Sequence, residues 1–131
     1  MKGSRVVELR GVVPVIPTPF RADESIDLEG LSACIDFAVR CGVCAVCLPA
    51  YASEFYKLIE DERRLVLETA IRAAAGRLSV LAQSNHPSAR CAAELARKHV
   101  DMGADGISFA IPRQFALPPD DLLNYCRTIC R

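Results

Sequence analysis

The sequence predicts an α/β fold built on a parallel sheet, and three observations predict it. Four short apolar runs alternate with four longer amphipathic ones, the same two-part unit repeated along the chain. The short runs, "VVPVIP", "VCAVCLP", "LSVLAQ" and "GISFAI", place β-branched or small apolar residues on consecutive positions, as strands buried on both faces require. Gly or Pro punctuates each unit, and a strand–helix series with short loops implies right-handed crossovers, either doubly wound or curled into a barrel.

The first amphipathic run begins at Asp27, whose carboxylate suits a helix N-cap, and sets Leu28, Leu31, Ile35, Ala38 and Val39 on one face before Gly42. The second opens with Glu60, Asp61 and Glu62, charges that favour a helix N-terminus, and carries Leu65, Val66, Thr69, Ala70 and Ala73 to a stop at Gly76. In the third, Pro87 and Ser88 introduce a helix with Ala92, Ala93, Ala96 and Val100 facing inward and Gly103 ending it. The fourth places Pro119 near the first helical position and Leu122, Leu123, Cys126 and Ile129 on one face.

A chain of 131 residues suits one domain or part of one. A complete eight-unit barrel takes roughly 250 residues, so four units make about half of one. Such a half leaves the apolar edges at "VVPVIP" and "GISFAI" without strand partners. Sixteen basic side chains balance sixteen acidic ones, which offers no field for nucleic acid or an anionic membrane. The apolar runs fall short of the roughly twenty residues a bilayer span needs, and Arg5, Glu8 and Arg10 interrupt any export signal. Seven cysteines, an odd number set inside apolar patterns, read as reduced thiols in the cytoplasm.

Three of those cysteines, Cys41, Cys44 and Cys47, recur at every third position. A bacterial cluster motif needs a fourth cysteine where Tyr51 stands, and residues an odd number apart on a strand face opposite ways. The expectation is therefore a strand using thiols as small apolar groups, with no metal. His86 and His99 lie on different elements and assemble no metal site. Gln83, Ser84, Asn85 and His86 follow the third run, where polar groups meet a ligand or, as the favoured reading, cap the next helix.

Thr18-Pro19-Phe20, Asp27, "CGV" closing the first helix, Glu54 followed by "KLIEDER", Gly76-Arg77 and "GADG" at 103–106 together resemble the dihydrodipicolinate synthase and N-acetylneuraminate lyase family, over nearly the whole chain. The resemblance implies a (β/α)8 TIM-barrel type fold of which residues 1–131 form the N-terminal half, its first four βα units. It implies a lyase of the class I aldolase kind, usually tetrameric, acting on a 2-oxo acid or sugar acid through a Schiff base between pyruvate and a lysine, with no cofactor. The family's Schiff-base lysine and main tyrosine are expected beyond Arg131, so no catalytic residue is expected here, and a homo-oligomer or pairing with a C-terminal half is expected instead. An inactive assembly or regulatory half-barrel is the alternative reading.

In the family a "GTTGE"-type loop cradles the substrate carboxylate. The matching residues are Ala50, Tyr51, Ala52, Ser53 and Glu54, which keep the glutamate and lose both glycines and both threonines. The backbone N–H groups of Tyr51 and Ala52 remain the expected anion contacts, with Thr18 at the site floor or capping its own turn. Where the family often has proline and two aromatics, this chain has Pro112, Arg113 and Gln114. Arg113 is a candidate for a carboxylate contact because its fork matches that group. Of Lys2, Lys57 and Lys98, only Lys57 falls in a loop at the expected rim, within the structural "KLIEDER" turn.

Overall fold

The computed structural model describes residues 7–113 and 116–131. Four helices, α1 (Leu28–Arg40), α2 (Glu60–Ala74), α3 (Ala89–Asp101) and α4 (Pro119–Ile129), alternate with strands β1 (Ala45–Leu48), β2 (Ser79–Gln83) and β3 (Gly106–Ser108). The strands run parallel in the order β1-β2-β3, with Ala45 opposite Ser79 and Leu81 opposite Gly106.

The first predicted strand is not a full strand. "VVPVIP" pairs with β1 through a single parallel bridge, Val15 to Cys47, in which Ile16 N–H donates to Cys47 O at 3.1 Å and Cys47 N–H to Pro14 O at 3.0 Å. Pro14 has no N–H to give to Ala45 O, and Pro49 has none to give to Ile16 O, which accepts from the Ser53 hydroxyl instead, so the ladder continues in neither direction. The last strand is also shorter than "GISFAI", because Ala110 N–H donates to the Asn85 side chain at 2.6 Å and not to a neighbouring strand.

Caps follow the chemistry of the termini. Asp27 accepts from Gly30 N–H at 3.0 Å, and Ser88 accepts from Cys91 N–H at 3.5 Å. The Glu62 carboxylate reaches back to Ile59 N–H at 2.9 Å. Beyond α2 both Ala75 and Gly76 adopt the left-handed region, with φ of 48° and 74°.

Leu31, Ile35 and Ala38 of α1 meet Val66, Leu67, Ala70 and Ala74 of α2 over Val46, Leu48, Val80 and Ala82 of the sheet, forming one apolar core. The expected inward positions Val66, Thr69 and Ala70 of α2 and Ala92, Ala93 and Ala96 of α3 are buried, but Leu67 is buried while Leu65 is exposed, His99 is buried while Val100 is 53% exposed, and on α4 Tyr125 is buried while Leu123 is exposed. α2 packs chiefly on α1, which selects the face one position round, and α3 packs on α4 and the sheet.

Candidate functional site

The C-terminal ends of the first segment and of the three strands carry the loops of one rim. After β1 the chain makes two short turns, Tyr51–Ser53 and Phe55–Lys57. Ser53, 2% exposed, fixes the first of them. Its hydroxyl accepts from Ala50 N–H at 3.0 Å and donates to Ile16 O at 2.6 Å. Thr18 Oγ1 donates to Ser53 O at 2.9 Å, so this hydroxyl supports the turn from beneath and its proton is committed there. As the first two residues of a helical turn, Tyr51 and Ala52 leave their N–H groups without partners inside it. Both residues are exposed, and two adjacent unpartnered N–H groups suit an anion.

Glu54 has a left-handed φ of 56°, and its carboxylate accepts from Lys57 Nζ at 3.0 Å. The hydrogen bond to Glu54, and then its charge, hold the Lys57 pKa above the ordinary value. A Schiff-base nucleophile needs the opposite shift.

Arg63 is the basic residue of the rim that sequence reasoning missed. Its Nε donates to Phe55 O at 3.1 Å and to Leu58 O at 3.0 Å, and its guanidinium lies 4.9 Å from the Phe55 ring centre. The acceptors are backbone carbonyls, which leave no signature in residue spacing. Phe55 in turn meets Tyr51 edge-on at 5.0 Å. Tyr51, Phe55, Arg63, Asn85, His86 and Pro112 border a rim cavity of about 280 Å³. Arg113 is exposed and borders neither this cavity nor its neighbour, whereas Arg63 borders both. Gln114 and Lys2 lie outside the described residues.

The loop after β2 is stitched to its surroundings. Asn85 Oδ1 accepts from Ala110 N–H, His86 Nδ1 accepts from Ser88 N–H at 2.9 Å, and His86 O accepts from Tyr125 Oη–H at 2.7 Å. A neutral His86 therefore carries its proton on Nε2. Burial raises the Tyr125 pKa above its ordinary value.

The cysteines meet different partners. Cys44 Sγ donates to Arg10 O at 3.0 Å, Cys41 is exposed after α1, and burial raises the pKa of the Cys47 thiol. Among the described residues no group of three or more His, Cys, Asp or Glu is placed to hold a metal ion. No helix among them is long and apolar enough to cross a membrane.

His99 lies on the buried face of α3, and burial pushes its pKa below the ordinary 6.5, with Glu60 pulling it upward and Lys98 downward. The unfolded chain then binds a proton near pH 6.5 that the folded chain refuses. Stability is thus expected to fall as pH drops through 6.5 toward the folded pKa, and to be recovered above it. Urea unfolding at pH 7.5 and pH 5.5 checks this: the pH slope should shrink in His99→Gln, and an identical slope in both proteins counts against it.

A parallel sheet flanked by helices, with its polar loops gathered at the strands' C-terminal ends, is the architecture of part of a βα-barrel. The chain belongs to the dihydrodipicolinate synthetase family, whose profile matches residues 8–131. It is 35% identical over 123 residues to N-acetylneuraminate lyase of Rhizobium meliloti, covering 94% of this chain and 41% of that protein. Dihydrodipicolinate synthase from Aquifex aeolicus superposes with a TM-score of 0.86 at 27% identity, over 92% of this chain and 41% of that one. YagE, a prophage protein of the same family from Escherichia coli K12 solved in complex with pyruvate, superposes with a TM-score of 0.84 at 29% identity, over 91% and 40%. The chain spans between 32% and 41% of the length of the curated relatives it matches.

Proposed function

We propose that residues 1–131 supply the first four βα units, and the carboxylate-holding turn, of a lyase of the aldolase kind that acts on a 2-oxo acid or sugar acid. The observation that carries this reading is the Tyr51–Ala52 turn, with two unpartnered N–H groups held by Ser53 beside the Arg63 guanidinium. A carboxylate offered there meets two amide donors and a cation. Phenolic Tyr51 takes the place of a small hydroxyl residue in the family loop, which favours a substrate other than unmodified pyruvate. The seven free thiols fit a reducing compartment such as the cytoplasm.

The reactive amine comes from strands other than these. Lys57 is kept protonated by Glu54, and Lys98 sits on α3, away from the strand ends. The exposed Val12 and Val15 beside the first segment's single bridge favour closure against a complementary half or a second copy, as an assembly module. Borohydride reduction in the presence of pyruvate tests both points. This chain should gain no mass alone, run above one chain's mass on sizing, and form an adduct only when a lysine-bearing half is added. An adduct on Lys57 would refute the assignment of the amine, and a clean monomer would refute the closure.

A further inference from the structure

His86 is exposed, yet it is held from two sides. Its Nδ1 accepts from Ser88 N–H at 2.9 Å, and its carbonyl oxygen accepts from Tyr125 Oη–H at 2.7 Å, which ties the loop after β2 to α4. Ordering an exposed side chain costs rotamer entropy and does nothing for solubility. Fixing a polar group ahead of its partner is instead what makes a binding contact effective. The ring borders the rim cavity of about 280 Å³ together with Tyr51, Arg63, Pro87, Ala110 and Pro112. Both prolines lack an N–H, Ala110 N–H is committed to Asn85 Oδ1 at 2.6 Å, and Asn85 Nδ2 is buried out of reach. Among the described residues, the loops after β2 and β3 therefore offer this cavity one side-chain donor, the Nε2–H of His86.

We infer that His86 is a specificity-determining residue of this rim: its Nε2–H donates to a hydroxyl on the carbon chain of a 2-oxo acid whose carboxylate lies on the Tyr51–Ala52 turn. The site then prefers a hydroxylated 2-oxo acid to the plain one. This rests on the turn holding the carboxylate, and it adds which residue reads the rest of the chain. A site that bonds a substrate hydroxyl discriminates against the analogue lacking it, and at an exposed donor the scale is that of one hydrogen bond, about fivefold in affinity.

The probes are 4-hydroxy-2-oxopentanoate and 2-oxopentanoate, which share a carbon chain and differ by one hydroxyl. Each is titrated into the whole chain and into His86→Asn, with the Tyr51 and Ala52 amide shifts as readout. An asparagine Oδ1 can still accept from Ser88 N–H, so the variant keeps the loop and removes the far nitrogen. The parent should bind the hydroxylated acid about fivefold more tightly, and His86→Asn should bind both acids as the parent binds 2-oxopentanoate. Equal binding of the two acids by the parent, or a preference that survives in His86→Asn, overturns the inference and leaves the carboxylate turn standing. Failure of both acids to shift the Tyr51 and Ala52 amides of the parent overturns the turn itself, and the inference with it.

Discussion

Leu31→Ala is expected to destabilise the protein by about 3 kcal/mol, within the range measured for deleting a buried leucine side chain. Leu31 is fully buried, and with Ile35 one turn later it is how α1 grips the core shared by α2, β1 and β2. The loss has two parts: the transfer energy of the removed carbons, and the void that neighbours in regular elements cannot collapse to fill. Against a total stability of roughly 5–15 kcal/mol for a domain, that is a large fraction. Urea unfolding measures it, with Phe37→Ala as control, since Phe37 lies on the same helix and is 62% exposed. The control should stay within about 0.5 kcal/mol of the parent. A loss below about 1 kcal/mol in Leu31→Ala would show that α1 is not clamped as described.

The helices were legible because their signals are local. Asp27, Ser88 and Pro119 act within a turn of where they stand, and the glycines after α1 and α3 mark the stops at Gly42 and Gly103. The strands were legible in direction, and in place for three of the four, but not in length. Whether Ile16 or Ala110 joins a ladder depends on what faces it, and those partners, Cys47 O and Asn85 Oδ1, lie 31 and 25 residues away in sequence. The faces of α2 and α3 were read correctly at Val66, Thr69, Ala70, Ala92, Ala93 and Ala96 and missed at Leu65 and Val100, for the same reason. Leu65 and Leu67 are equally apolar, and only the packing of α2 on α1 chooses between them. At the rim, the place of the loop after β1 was readable through the family motif, but Arg63, whose bonds go to backbone carbonyls, was indistinguishable from the solvated charges of "EDERR". Arg113 shows the converse: the right residue type in the right loop, placed in solvent.

Ser53→Ala carries the second large effect, and it reaches function through position alone. The Ser53 hydroxyl is the one group that joins the β1 loop to the first segment on both sides, taking Ala50 N–H and giving to Ile16 O. Removing it leaves a buried donor and a buried acceptor without their partner, which costs about 2–3 kcal/mol by the usual penalty for orphaned buried groups. Besides its bond to Ser53 the first segment is tied to the β1 region by its single bridge and by the Thr18–Ser53 O and Cys44–Arg10 O hydrogen bonds, a small set against the loss of two buried partners. The expected result is therefore local: amide exchange should quicken in residues 50–55 and 14–18 while α2 and β2 keep their protection. Because Tyr51 and Ala52 themselves are untouched, any carboxylate affinity lost with Ser53 is lost by misplacing their N–H groups. Pyruvate or acetate titrated into the parent should shift the Tyr51 and Ala52 amides, and the same titration of Ser53→Ala should not. Ser53→Thr, which retains the hydroxyl, should restore the shifts if the added methyl is accommodated, and uniform loss of protection across all four helices in Ser53→Ala would mean that the residue holds the fold and not the turn.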